Sequence, residues 1–198
     1  MKVRSVSFDT SFLLKKFEAV DTAIKALAQD FIPCYITTTV ISELEQLRIW
    51  GRITNADHKI ATRRWKRTHA TLIDFRNRFY ASTFGKECMV SMKEHHGVEP
   101  EDIVNDCNIL IATLKNGVDL FLSEDFHFTS KVTTEVIDEI TDTACKEYSQ
   151  MCDTSLYAID AKTFLAAYQH GSIDTNIIHA RSKDIKKDTK VLGKKDNS

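Results

Sequence analysis

Apolar residues along the chain fall into short runs that alternate with amphipathic segments. The short runs have the length and bounding residues of buried strands, and they predict strands at residues 3–8, 34–37, 87–92, 118–122 and 155–160. Between these runs, apolar residues recur three or four positions apart, which is typical of helices packed on a core. Strands that alternate with helices predict an α/β fold whose mostly parallel sheet has four to five strands.

The charged residues are distributed unevenly between the two signs. The formal net charge is only −1, yet nine Lys and Arg lie between Arg48 and Arg78, with only Asp57 and Asp74 as acids. Residues 54–80 are predicted as a long, strongly charged helical segment with a break near 68–70. A near-neutral total with separated signs suggests an anionic partner on one surface of the protein.

The apolar pattern fades near the C-terminus. One domain is therefore predicted over residues 1–171, enlarged by a basic helical segment at about 48–98. Residues 172–198 are predicted to form a polar, weakly ordered tail because lysines and aspartates replace the apolar positions there.

Carboxylates occupy helical positions that the pattern reserves for apolar residues. Glu43 lies on the same helical stripe as Val40 and Leu44. Asp106 similarly joins an apolar stripe in the helix that follows Pro100, with Asp102 one turn earlier. An unpaired carboxylate is costly to bury, so Glu43 and Asp106 are better explained by function than by packing. Asp102 lies in the first helical turn, where the helix dipole favours acids in any case, so a functional role is less strongly indicated for it.

Two further acids follow strands directly. Asp9 ends the first predicted strand, and Asp125 lies just beyond the strand at 118–122. Ligands of parallel α/β folds bind outside the carboxyl ends of the strands, so these acids could meet Glu43 and Asp106 in one pocket. A cluster of carboxylates needs a cation, and oxygen-only ligands favour Mg²⁺ or Mn²⁺.

At these residues the sequence resembles the PIN-domain nucleases. The resemblance rests on four motifs in order: FDTSFLL with Asp9, VISEL with Glu43, NDCNILIATLKNG with Asp106, and SEDFHF with Asp125. It covers roughly residues 1–170, including the closing segment LYAIDAKTFLAAY. One position departs from the pattern, because many members carry a further Asp where this chain has His127.

The resemblance implies a PIN-like, three-layer α/β/α fold and a metal-dependent endoribonuclease that hydrolyses RNA phosphodiesters in processing or decay. Asp9, Glu43, Asp106 and Asp125 would be catalytic and would hold Mg²⁺ or Mn²⁺, with Asp102 as a fifth acid. The residues expected to orient these acids are Thr10, Ser11, Ser123 and His127. The residues expected to bind RNA are Lys59, Arg63, Arg64, Lys66, Arg67 and Arg76, and Trp50 or Trp65 could stack on a base.

Other functions compete with this one. A PIN-like domain could bind RNA or protein as a scaffold without cutting, which would suit the missing acid at His127. A toxin-type ribonuclease held by an antitoxin is another alternative. A haloacid-dehalogenase-type phosphatase is less suitable, because it needs a second Asp where Ser11 stands. Pairing into a homodimer, an antitoxin partner and an RNA-processing partner all remain open.

The predicted location is the cytoplasm. No apolar run approaches the roughly 18 residues of a membrane span, and the N-terminal residues lack the apolar block of a signal peptide. Five cysteines without short paired spacings fit a reducing compartment better than a disulfide framework.

Overall fold

A parallel sheet of five short strands forms the centre of the computed structural model. The strands are β1 (Val6–Phe8), β2 (Cys34–Thr37), β3 (Thr71–Ile73), β4 (Leu120–Leu122) and β5 (Tyr157–Ile159), in the order β3-β2-β1-β4-β5. The structure describes residues 1–74, 83–97, 99–130, 137–139, 141–142, 145–146 and 155–180. The predicted α/β class with a parallel sheet is confirmed.

Helices flank the sheet, consistent with a three-layer arrangement. They are α1 (Thr10–Leu14), α2 (Glu18–Gln29), α3 (Thr38–Ile49), α4 (Asn55–Arg67), α5 (Thr83–His96), α6 (Pro100–Lys115), α7 (Phe126–Thr129) and α8 (Ala161–Ala167). Two further strands, β6 (Tyr168–Gln169) and β7 (Ser172–Ile173), form a small antiparallel pair. Within 131–151, the residues that the structure describes, 137–139, 141–142 and 145–146, are helical.

The middle strands β1 and β4 are buried along their whole length. Val6 pairs with Cys34 on one side and with Leu120 on the other, and Phe8 pairs with Leu122. Phe8 and Leu122 are fully buried. A parallel strand covered on both faces needs a continuous apolar run, which is why these strands could be recognised from the sequence.

The direction in which the chain adds strands reverses between β1 and β4. From β1 the chain adds β2 and then β3 on one side, and it later returns to add β4 and β5 on the other. Helices leave neighbouring strands in opposite directions at such a point, which opens a crevice beyond the carboxyl ends of the two strands. Asp9 and Ser123 directly follow β1 and β4 and therefore lie at this crevice.

The prediction for the third strand was wrong. Residues 87–92 belong to helix α5, where Cys88, Ser91 and Met92 are buried at helical spacing. The strand at that place in the sheet is β3, within the segment that was predicted to be a charged helix. That helix instead ends at Arg67, and β3 follows four residues later.

The cysteines also differ from the prediction. Cys88 of α5 and Cys107 of α6 form a disulfide, with their Cα atoms 5.9 Å apart. Cys34 is a free, buried thiol. Within the part of the chain that is described, no helix is long and apolar enough to cross a membrane.

The folded structure continues beyond the predicted boundary at residue 171. The backbone N–H of Ile173 donates to the carbonyl of Met1 at 2.8 Å, and Ile173 and Ile178 are buried. Residues 175–180 are helical. The segment 172–180 therefore packs on the domain, and the rest of the predicted tail, 181–198, lies outside the described residues.

Candidate active site

A cavity of about 380 Å³ opens at the crevice between β1 and β4. All four acids predicted from the sequence line it, although they come from four separate segments of the chain. The described residues that line it are Asp9, Thr10, Ser11, Leu14, Glu43, Gln46, Leu47, Trp50, Asn105, Asp106 and Asp125. The structure therefore brings the predicted acids together.

Asp9 is a buried acid that also begins helix α1. Its side chain is 4% exposed, and as the N-cap it accepts a hydrogen bond from the backbone N–H of Ser11 at 3.1 Å. The Ser11 hydroxyl and the Ser123 hydroxyl, at 2.9 Å, donate to the same oxygen, Oδ2. Burial raises the pKa of Asp9 to about 6, although these hydrogen bonds favour the charged form.

The turn after β4 explains why polar residues follow a buried strand so abruptly. The Ser123 hydroxyl accepts from the backbone N–H of Asp125 at 3.0 Å while it donates to Asp9. Asp125 then caps the four-residue helix α7, accepting from the backbone N–H of His127 at 2.8 Å. These bonds fix the Asp125 backbone at the edge of the cavity.

The adjacent acid, Glu124, belongs to a different set of contacts. Its carboxylate accepts a hydrogen bond from the backbone N–H of Ala161 at 2.9 Å, at the start of α8. It does not line the cavity. Glu124 therefore connects β4 to the last helix, whereas Asp125 faces the crevice.

Glu43 is held by one donor on each oxygen. The hydroxyl of Thr10 donates to Oε2, and the side-chain amide of Asn105 donates to Oε1 at 2.7 Å. These contacts join α3 to both α1 and α6. Asn105 was not predicted as a site residue, since an exposed amide on a helix carries no distinguishing pattern.

Asp106 has the most strongly shifted carboxyl of the cavity. Burial first, and then the charges of Asp9, Asp125 and Glu43 in that order of importance, raise its pKa to about 8. The other three carboxylates therefore disfavour a charge on Asp106, and in the absence of a cation Asp106 retains its proton at neutral pH.

The donor set is chemically suited to a hard divalent cation. All the side-chain donors of the four acids are carboxylate oxygens, and a cation would relieve the repulsion that raises the pKa of Asp106. The three bonds to Asp9 all reach Oδ2, not Oδ1. Among the described residues, however, no three acidic, His or Cys side chains are arranged to hold a metal ion. Coordination would thus require carboxylate rotations within the cavity.

His127 lies beside an acid of this cavity but does not line the cavity itself. The His127 ring lies near Asp125, with 3.4 Å between Nδ1 and Oδ1. It occupies the place at which the resemblance would put a further acid. Asp102 lies in α6, but its side chain is outside the described part of the chain.

A second, larger cavity of about 560 Å³ lies beside the basic helix α4. Its lining is Lys16, Phe17, Glu18, Asp21, Ile24, Ile60, Arg63, Arg64 and Arg67. Four of the predicted RNA-binding residues are exposed on α4, namely Lys59, Arg63, Lys66 and Arg67. Arg76 lies outside the described residues.

Arg64 does not fit the predicted role in RNA binding. It is 6% exposed, and its guanidinium pairs with Asp21 at 2.8 Å. The same guanidinium donates to the carbonyls of Leu13 and Lys15, each at 2.7 Å. Because the guanidinium is already bonded to groups of the protein itself, Arg64 joins α4 to α1 and α2. Phosphate contact is left to its exposed neighbours.

The two tryptophans occupy different environments. Trp65 is partly buried and packs against the core. Trp50 is 68% exposed and lines the acid cavity. Gln46, Leu47 and Leu14 also line it and were not predicted, although Gln46 and Leu47 follow Glu43 at helical spacing.

Comparison with known proteins identifies no relative. The chain matches no family model, no curated protein and no solved structure. The functional argument therefore rests on the geometry and chemistry of this molecule.

Proposed function

We propose that this protein is a Mg²⁺- or Mn²⁺-dependent endoribonuclease of the PIN type, acting in RNA processing or decay. The observation that carries the proposal is that Asp9, Glu43, Asp106 and Asp125 line one cavity at the point where the strand order reverses. Mutually repelling acids at this place in a parallel sheet fit a metal-assisted phosphoryl reaction better than a packing role.

The acids have distinct places in the proposed site. Asp9 is fixed by its hydrogen bonds at the floor, whereas Asp125 lies at the rim, held through its backbone and by capping α7. Together with Glu43 and Asp106 they would hold the cation. When bound, the cation supplies an activated water and neutralises charge on the phosphate. Thr10, Ser11, Ser123 and Asn105 orient the carboxylates.

The basic cavity supplies a path for the rest of an RNA strand. Leu14 lines the acid cavity and Lys16 lines the basic one, so the walls of the two cavities include residues whose Cα atoms are at most about 7 Å apart. Arg63 and Arg67 form no ion pair with any described residue and are exposed. They are therefore positioned to contact the phosphates that flank the cleaved bond.

A scaffold that binds RNA without cutting it is the second candidate. It is favoured by the lack, among described residues, of three side chains arranged around one metal position. The approach of His127 to Asp125 also favours it. The mutual repulsion of the acids argues for the enzyme, because a scaffold gains nothing from it. Homodimer formation, an antitoxin and an RNA-processing partner remain proposals without a contact to support them.

The decisive experiment compares cleavage of a mixed structured and single-stranded RNA with Mn²⁺, Mg²⁺ or EDTA. Asp125→Asn removes one charge at nearly constant shape and should abolish metal-dependent cleavage. Glu124→Gln is the matched control, because it changes the neighbouring acid, which does not line the cavity. Cleavage by the wild type and by the control, lost in Asp125→Asn, would support the nuclease. Salt-sensitive RNA binding with no cleavage under any condition would favour the scaffold.

A further inference from the structure

One side of helix α3 lines the acid cavity over two turns. Glu43 belongs to the cavity lining together with Gln46, Leu47 and Trp50, which follow it by three, four and seven residues. Such residues share one face of a helix. The distance along the axis from Glu43 to Trp50 is about 10 Å. The cavity thus changes along this helix from an acidic end to an apolar, aromatic end.

Trp50 is exposed despite a well-fixed backbone. It ends α3, and its backbone N–H donates to the Gln46 carbonyl at 2.9 Å. Gly51 follows with φ +67°, a backbone conformation that residues with a Cβ atom disfavour, and the helix ends there. The indole nevertheless remains 68% exposed. The backbone at Trp50 is therefore fixed at the cavity wall while the indole stays accessible.

Exposed apolar side chains are common on protein surfaces, so exposure alone does not indicate a binding site. Ile49 and Phe31 are 65% and 89% exposed, but neither lines the cavity. Trp50 differs because it shares a cavity with four acids and is joined there by Leu14 and Leu47. Gln46 adds an amide that can both donate and accept a hydrogen bond.

A flat aromatic surface beside a donor–acceptor amide suits a planar ring that has polar edges. We propose that Trp50 stacks on an unpaired nucleobase, with Gln46 contacting its edge, while the adjoining phosphate lies at the acids. This inference rests on the proposed function and deepens it, because it names the residues that bind the base beside the cleaved phosphodiester. Bases inside a duplex stack on one another and would first have to leave the helix.

The test measures binding by Asp125→Asn protein, which should not cut. Three RNA probes share a length: a single strand, the same strand with one abasic position, and a duplex. Affinity is measured by the anisotropy of a labelled RNA, with Mg²⁺ and again with EDTA. In parallel, Trp50 fluorescence should be quenched by the intact single strand. The sequence contains only two tryptophans, so Trp65→Phe isolates that signal.

Trp50→Ala in this background should weaken binding of the intact single strand by about 5- to 150-fold, equivalent to stacking of 1–3 kcal/mol per base. Trp50→Phe should restore part of the loss. Neither change should alter the affinity for an abasic strand that lacks the base stacked on Trp50. Because that base is not known in advance, the abasic position is moved along the probe. Phe31→Ala is the control, because Phe31 is an exposed aromatic outside the cavity.

The inference would be overturned if the Trp50→Ala change left the affinity of the Asp125→Asn protein for the intact strand unaltered. It would also be overturned if the duplex quenched Trp50 fluorescence as strongly as the single strand does. A loss of binding to a protein partner alone, with RNA binding unchanged, would assign Trp50 to a protein interface instead. Failure of the proposed function is separable. If the wild type never cuts but Trp50 still discriminates intact from abasic RNA, base stacking stands and the nuclease assignment fails.

Discussion

The hydroxyl of Ser123 donates a hydrogen bond to the carboxylate of Asp9 at 2.9 Å, across a sequence separation of 114 residues. Both residues directly follow central strands of the sheet, β1 and β4. The bond therefore joins the two strand ends and at the same time orients the most buried acid of the cavity. Fold and site share this contact, so its removal should affect both.

Ser123→Ala should lower the free energy of unfolding by about 1–2 kcal/mol, because a buried carboxylate loses one of its donors. It should also raise the pKa of Asp9, since that hydrogen bond favours the charged form. We expect slower metal-dependent RNA cleavage with a pH dependence moved upward. Denaturant unfolding and a pH–rate profile measure the two effects.

Ser7→Ala is the matched control for Ser123. Ser7 is also fully buried on the central sheet, but its hydroxyl contacts Thr113 at 3.2 Å and does not line the cavity. It should lose comparable stability while keeping the pH–rate profile. If both variants show the same change in that profile, the Ser123 bond has no special effect on the site.

The stability of the protein should depend on pH through Asp106. Its pKa rises from 3.8 in the unfolded chain to about 8 in the fold, so between these values the folded protein holds a proton that the unfolded chain has released. The free energy of unfolding should therefore fall as the pH rises through this window. Asp106→Asn should reduce that slope and be more stable than the wild type at pH 7–8, by at least about 1 kcal/mol.

Thermal unfolding at several pH values, with and without Mn²⁺, measures this dependence. Saturating Mn²⁺ should stabilise the wild type most at the upper end of the window, since the cation replaces the retained proton. Glu87→Gln, an exposed change on α5, should leave the slope as it is. A wild-type profile that Asp106→Asn does not alter would contradict the assignment of the shifted pKa to Asp106.

Two neighbouring arginines should behave in opposite ways. Arg64→Ala should cost about 2–4 kcal/mol, because it removes the buried guanidinium that pairs with Asp21 and leaves the carbonyls of Leu13 and Lys15 without their donor. Arg63→Ala should leave stability within about 0.5 kcal/mol, since Arg63 is exposed. Denaturant titration distinguishes the two.

The same pair tests the basic cavity. Arg63→Ala should weaken RNA binding and lower the dependence of log K on log salt by about 0.7, the contribution of one phosphate contact to a single strand. An unchanged salt dependence would exclude Arg63 from the RNA path. Arg64 variants that remain folded should retain the wild-type salt dependence.

The disulfide should contribute measurably to stability. Cys88 and Cys107 are 19 residues apart, and closing a loop of that length is worth about 3 kcal/mol in the chain-entropy account. The double variant Cys88→Ala, Cys107→Ala should lose stability of that order in urea. No loss would indicate that the two helices pack equally well without the bond.

The sequence predicted the central strands better than the edge of the sheet. β1 and β4 are buried on both faces and appear as apolar runs. β3 has three residues, of which Thr71 and Leu72 are exposed, so little in it distinguishes a strand from its charged surroundings. In α5 the buried residues Cys88 and Met92 are four apart, and a test of helical spacing there would have corrected the prediction for 87–92.

The site shows a similar division. Asp9, Glu43, Asp106 and Asp125 could be selected because an acid at a strand end or on an apolar stripe conflicts with ordinary packing. Exposed amides create no such conflict, so the contact of Asn105 with Glu43 depends on the tertiary fold. The burial of Arg64 could not be predicted either, because it also depends on the tertiary fold: its partner Asp21 is 43 residues away in the sequence.

The pairing of β1 with β4 also sets when the cavity can exist during synthesis. Val6 pairs with Leu120, so the central ladder joins segments that leave the ribosome far apart in time. At about 5–20 residues per second, the interval is on the order of ten seconds. Asp106 is added only near the end of that interval, and Asp125 only after it. The unfinished chain therefore has no complete acid cavity close to the messenger that encodes it.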